Sequence, residues 1–188
     1  MKLIVKPSRL AGEIAVIGSK SHTIRGIAAA LMANGTSVLH APLDSADTRS
    51  TLGAAMAFGA EVRETEGRWE ITGTGGKLSD PGRTLDLGNS GTGLRMLTGL
   101  AATCDFPVHF DGDASLRTRL MKGLFDALRP LGAEIDASRD KCPFTIRGAI
   151  RGGSTRVDGT TSQFLTSLLF TLPTVEGDSV VDLGFLHE

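Results

Sequence analysis

The chain repeats itself, and that constrains its fold more than any other feature. The stretch "TLGAAMAFGAEVRETEGRWEITGTG" (51–75) resembles "GLFDALRPLGAEIDASRDKCPFTIRGA" (123–149). Each reads as a helix, then Gly-Ala-Glu, an apolar residue, a polar turn, an aromatic residue, and Ile two positions later. The two Gly-Ala-Glu triplets begin at Gly59 and Gly132, 73 residues apart. Upstream, a helical pattern around Arg25 has a counterpart around Arg95, and a third copy begins near Thr161. A period of this length marks one supersecondary unit used more than once, stacked so that neighbours bury faces that no single copy can bury.

Each unit opens on a short apolar strand: "EIAVI" (13–17), "TLDLG" (84–88) and "TRVDG" (155–159). An amphipathic helix follows, with Ile24, Ile27, Ala28, Leu31 and Met32 at helical spacing in the first copy. Leu94, Leu97 and Ala101 repeat the pattern, as do Leu165, Leu168, Leu169 and Leu172. Then come a strand ("TSVLHA", "PVHF", "SVVDL"), a second helix and two closing strands. The expected fold is therefore α/β of α+β character, with β-α-β-α-β-β units of about 70 residues around a pseudo-threefold axis. The units span 13–82, 83–150 and 151–188. The third lacks its second helix and last strands, about 35 residues by analogy with its sisters, which predicts an uncovered groove there. A further strand, "KLIVKP", precedes the pattern, and residues 1–12 read as belonging elsewhere.

Net charge is −1, so nothing indicates nucleic-acid or acidic-membrane binding. No apolar run approaches the roughly 20 residues of a membrane span, and the N-terminus lacks a signal-peptide pattern. Cys104 and Cys142 lie in unrelated contexts, which favours free thiols and a cytoplasmic setting. His22, His40, His109 and His187 offer no obvious pair.

The chemistry-bearing residues cluster where the first helix of each copy begins. These starts read Gly18-Ser19-Lys20-Ser21, Gly88-Asn89-Ser90-Gly91-Thr92 and Gly159-Thr160-Thr161-Ser162-Gln163. Serine, threonine and asparagine there can simply cap the helix. Three such starts facing one side would also pool their free N–H groups and partial positive charge, a setting suited to an anion. Lys20, Arg25 and Arg95 add full charges, and the two arginines each lie six residues past a cap-like residue, Ser19 and Asn89. The loop "DGDASLRTRLM" (111–121) adds Arg117 and Arg119, with Asp113 and Ser115 able to cap the helix that follows. A P-loop is excluded, since Ser19 stands where glycine must precede the lysine, and "GNSGTG" is no dinucleotide fingerprint.

Taken in order, "GSKSHTIR", "LGNSGTGLR", "GDASLRTR" and "VDGTTSQFLTSLL" resemble the EPSP synthase (5-enolpyruvylshikimate-3-phosphate synthase) family from about Lys6 to Glu188. The resemblance implies two domains of three such units each, with this chain as the first half and residues 1–12 as a strand of the other domain. It implies transfer of the enolpyruvyl group from phosphoenolpyruvate to the 5-hydroxyl of shikimate-3-phosphate, with no metal or organic cofactor. Carried over by motif, Lys20 would contact both substrates and serve catalysis. Ser21 and Arg25 would hold the shikimate ring and its carboxylate. Gly91, Arg119 and Gln163 would bind phosphoenolpyruvate, and Thr161 and Ser162 the phosphate of shikimate-3-phosphate. The family's acid/base residues would lie in the missing C-terminal half, a required partner. Thr161 replaces a serine of the family pattern, and Met96 and Leu120 stand where many members have proline. A sister enzyme acting on UDP-N-acetylglucosamine usually carries a cysteine in the loop that here reads "GDASLRTR". A non-catalytic anion-binding module is the other alternative.

Overall fold

The apolar residues spaced three and four apart wind into five helices whose inward faces form one core. A computed structural model describes residues 2–184. The first helix, α1 (Lys20–Met32), buries Ile24, Ile27, Ala28 and Leu31. Strand β1 (Thr36–His40) follows, then α2 (Ala46–Ala57), β2 (Glu61–Thr65) and β3 (Arg68–Thr72). The second copy supplies β4 (Leu85–Asp86), α3 (Gly91–Ala101), β5 (Val108–Asp111), α4 (Lys122–Leu128), β6 (Glu134–Ala137) and β7 (Phe144–Arg147). The third supplies β8 (Ser154–Val157), α5 (Ser162–Thr171) and β9 (Val180–Leu183).

Two of the sheets share one three-strand order. One sheet runs β1-β3-β2, the other β4-β5-β7-β6. In both, the closing hairpin pairs antiparallel with the strand that follows the first helix, so Leu39 faces Trp69 as Phe110 faces Phe144. Alternation then sends every second side chain inward. Trp69 and Ile71 go under the first sheet, and Phe144 and Ile146 under the second. Phe144 also stacks on Phe110 and meets Phe125 of α4 edge-on, with centroids 5.3 and 4.9 Å apart. In the second and third copies the opening strand lies parallel to the strand after the helix, β4 on β5 and β8 on β9.

The first copy differs. Neither "KLIVKP" nor "EIAVI" forms a strand; residues 2–19 carry no regular secondary structure. Their apolar side chains stand in solvent, Leu10 94% and Ile14 89% exposed. A strand exists only through the neighbour that takes up its N–H and C=O groups, and among the described residues none pairs with residues 2–17 in a ladder. The outer edge of β1 is correspondingly uncovered. The groove expected beside the third copy is present, about 370 Å³ in volume and lined by Leu169, Leu172, Pro173, Val175 and Val181 among others.

Two further readings need adjustment. Arg117 and Arg119 belong to a separate 3-10 turn, Leu116–Thr118, and its C-cap, ahead of α4. Asp113 caps that turn, its Oδ1 accepting from Leu116 N at 2.7 Å, while Ser115 makes no side-chain cap. The cap of α3 is Ser90 and not Asn89, so Arg25 lies six residues past its cap and Arg95 five. One residue of offset turns a side chain about 100° around the helix. No helix among the described residues is long and apolar enough to cross a membrane.

Candidate functional site

All three copy-opening helices begin on a capped turn. Ser19 Oγ accepts from His22 N, Ser90 Oγ from Gly93 N, and Thr161 Oγ1 from Gln163 N, at 3.4, 3.3 and 3.3 Å. Each cap satisfies one of the four donors that a helix start leaves open. The first turns then converge. Lys20 and Ser21 of α1, Gly91 and Thr92 of α3, and Gln163 of α5 line one cavity of about 500 Å³, with Asp47, Asn89, Arg95 and Arg119. The capping reading holds at all three starts, and the same three starts share one cavity.

Of the residues singled out by motif, Lys20, Ser21, Gly91, Arg119 and Gln163 meet in this cavity. Arg25 does not reach its lining; its Nη1 turns back to Ser21 O, 3.3 Å away. Thr161 and Ser162 sit at the α5 start as cap and first helical residue, outside the lining. His22 lies in a different depression, formed with Gly18, Ser19, Thr23 and the 39–42 segment. His187 lies outside the described residues.

The cavity holds three cations, Lys20, Arg95 and Arg119, and one carboxylate, Asp47, an excess of two positive charges. Each cation leans on an acceptor from another segment. Lys20 Nζ pairs with Asp47 Oδ2 at 2.8 Å. Arg95 Nη1 donates to Gln163 Oε1 at 2.6 Å, and Arg119 Nη2 donates to Asn89 Oδ1. Burial, and then the neighbouring Arg119 charge, depress the pKa of Arg95 from its ordinary value. Close approach to the α3 backbone depends on Gly91. A β-carbon there would lie 2.6 Å from Arg119 Nη1.

Asp47 is the participant that motif reading missed. It sits in the first turn of α2, behind the Ser45–Thr48 capping box, where a carboxylate complements the helix dipole. "SADT" reads as an ordinary helix start, and nothing local in it points to Lys20, 27 residues away. Among the described residues, no group of three or more His, Cys, Asp or Glu side chains is placed to hold a metal ion. Donor-rich walls, surplus positive charge and convergent helix starts are the features that suit a cavity to oxyanions.

The fold and the site thus define a mixed α/β domain that gathers helix starts around a cavity of net positive charge. The chain belongs to the EPSP synthase (3-phosphoshikimate 1-carboxyvinyltransferase) family, whose model matches residues 4–184. It is 42% identical over 184 residues to the 3-phosphoshikimate 1-carboxyvinyltransferase of Methanothermobacter thermautotrophicus, covering 96% of this chain and 44% of that protein. Identity to the protein of the same name from Methanocorpusculum labreanum is 43% over 187 residues, with 97% and 44% covered. The structure of an EPSP synthase from Acinetobacter baumannii superposes with a TM-score of 0.84 at 29% identity, covering 94% of this chain and 41% of that one. The chain therefore spans less than half the length of these relatives.

Proposed function

We propose that this chain is the first part of an enzyme that transfers the enolpyruvyl group of phosphoenolpyruvate to the 5-hydroxyl of shikimate-3-phosphate. In that reaction the hydroxyl oxygen bonds to C2 of phosphoenolpyruvate while C3 takes up a proton and the hydroxyl gives one up. C3 then returns a proton as phosphate leaves, and the enolpyruvyl ether remains. Both substrates carry a phosphate and a carboxylate. The single observation that carries the reading is the meeting of Lys20, Gly91, Arg119 and Gln163, from three helix starts and one loop, in a cavity with surplus positive charge.

In this reading Lys20 supplies the ammonium that faces both substrates, and it must exchange Asp47 for substrate oxygen when they bind. Arg119 and the backbone N–H of Gly91 take the acidic groups of phosphoenolpyruvate, with Gln163 beside them. Electrostatic positioning of this kind stabilises charge that develops on the leaving phosphate. Ser21 and Arg25 belong to the shikimate end, and Thr161 and Ser162 to its phosphate. These last three require some movement of the α1 and α5 starts, since Arg25, Thr161 and Ser162 stand outside the lining. Proton transfer falls to residues of a C-terminal half, which completes the second wall of the cleft. We assign the three copies, 13–82, 83–150 and 151–188, to positions around a pseudo-threefold axis. The shared strand order of the first two copies and the meeting of the α1, α3 and α5 starts at one cavity support that assignment. Residues 1–12 go with the other domain, and the cytoplasm is the expected compartment.

The test is thermal protection and calorimetry of the 188-residue chain with shikimate-3-phosphate, phosphoenolpyruvate and UDP-N-acetylglucosamine. Protection by shikimate-3-phosphate but not by the nucleotide sugar is the expected result. Protection by the nucleotide sugar alone would move the chain to the sister activity. Phosphate release from the two substrates by this chain alone would refute the assignment of proton transfer to the other half.

A further inference from the structure

Two amide side chains line the cavity, Asn89 and Gln163. An amide can present a donor or an acceptor, so by itself it does not select for an anion. Here the choice is removed. A guanidinium has five donors and no acceptor, so the atom of Gln163 that meets Arg95 must be its carbonyl oxygen. The contact is short, 2.6 Å from Nη1 to Oε1, and joins α3 to the first turn of α5 across 68 residues of sequence. With Oε1 engaged, the free end of the side chain is its NH₂ group, a pure donor. Asn89 is held the same way by Arg119.

Arg95 is fixed from several sides. Its guanidinium lies over the ring of Phe164, 5.4 Å from the centroid. Its backbone carbonyl accepts from Ser167 Oγ at 2.6 Å, again across the α3–α5 contact. No carboxylate pairs with it among the described residues, and its Nε is buried without a hydrogen-bond partner. Among the described residues its one side-chain hydrogen bond is the grip on Gln163.

We propose that Arg95 is a positioning residue: it holds the carbonyl end of Gln163 so that this amide acts only as a donor into the cavity, which selects an oxyanion over a ligand group that must itself donate. The anion selectivity rests on the function proposed above; the amide orientation does not.

The test is NMR on the 188-residue chain, with the Gln163 side-chain signals assigned by their loss in Gln163→Ala. In the absence of ligand, Arg95→Met releases the carbonyl, and the Gln163 Cδ resonance moves upfield. Arg95→Lys, which still offers a donor and keeps the charge, restores most of that shift, and Arg95→Leu, which like methionine has no donor, serves if Arg95→Met folds poorly. With inorganic phosphate as probe, the Gln163 NH₂ protons move downfield in the unsubstituted chain. Arg95→Met and Gln163→Ala each weaken phosphate binding about tenfold, and the double variant is no more than about tenfold weaker, because both changes remove the same donor. An unmoved Cδ resonance in the variant that lacks the donor, Arg95→Met or Arg95→Leu, or a double variant weakened by the full product of about a hundredfold, overturns the proposal. If phosphate leaves the unsubstituted chain unperturbed, the anion-site reading fails instead, while the ligand-free Cδ shift still decides the orientation of Gln163.

Discussion

Replacing Gly91 with alanine separates the site from the fold. The backbone at Gly91 is not in the left-handed region, so alanine adds no conformational strain. Its β-carbon would lie 2.6 Å from Arg119 Nη1 and 3.5 Å from Arg95 Nη1, and no buried backbone atom is as close. The obstacle is thus the far end of a flexible side chain, and Arg119 can swing away. Alanine also favours a helix over glycine by up to about 1 kcal/mol, so the folded chain is not weakened. The site is. Displacing Arg119 breaks its bond to Asn89 and moves one of three cations off the cavity. A charge-assisted hydrogen bond contributes about 1.5–3 kcal/mol, which corresponds to about ten- to a hundredfold in affinity. Calorimetric titration with phosphoenolpyruvate should show that loss, while the unfolding midpoint of Gly91→Ala stays at or slightly above that of the unsubstituted chain. Affinity within twofold of the original would mean that Arg119 does not occupy this place in solution. A marked fall in the midpoint would mean that the clash is with something that cannot yield.

Other outcomes follow from the same coordinates. Gly99→Ala should lower stability by about 1–3 kcal/mol, and the melting temperature by about 2–4 °C per kcal/mol, because its β-carbon would overlap Ser167 Oγ and lie 2.6 Å from Thr171 Oγ1 of α5. Asp47→Asn removes the one carboxylate of the cavity and frees Lys20. Inorganic phosphate should then bind more tightly, with a steeper dependence on salt, measured by titration at several ionic strengths. Cys104 and Cys142 are buried, and burial pushes both thiols up from an ordinary value of 9.0 to about 12. They should resist alkylation at pH 8 until the chain is unfolded, which a thiol-reactive dye can follow. Between pH 9 and 12 the folded chain keeps protons that the unfolded chain releases. Stability, read from denaturant melts, should therefore fall as pH rises through that window.

The sequence was most legible where one period repeats. The Gly-Ala-Glu triplets and the helical spacing of Ile24 to Met32 and Leu94 to Ala101 report local geometry, and local geometry decides helices and hairpins. Reading the equivalence of Arg25 and Arg95 was less secure, because it depends on which polar residue caps. Asn89 and Ser90 are both good caps, and choosing Ser90 turns Arg95 toward Gln163. The strand expected at 13–17 is absent for another reason. Alternating apolar residues state a preference for a sheet but not the identity of its neighbour, and a strand is a property of a pair. Asp47 was invisible because its partner is 27 residues distant. Acidic residues are also common at helix starts, where the dipole alone accounts for them.

The bare outer side of Thr36–His40 separates two nearly equivalent sheets. In the second sheet, β4 shields that side of β5, and in the first nothing among the described residues does. An unshielded row of backbone donors and acceptors exchanges its hydrogens quickly and offers a template to any extended segment that meets it. Two sheets built to one plan thereby differ along one rim, occupied by β4 in the second and open to a newcomer in the first.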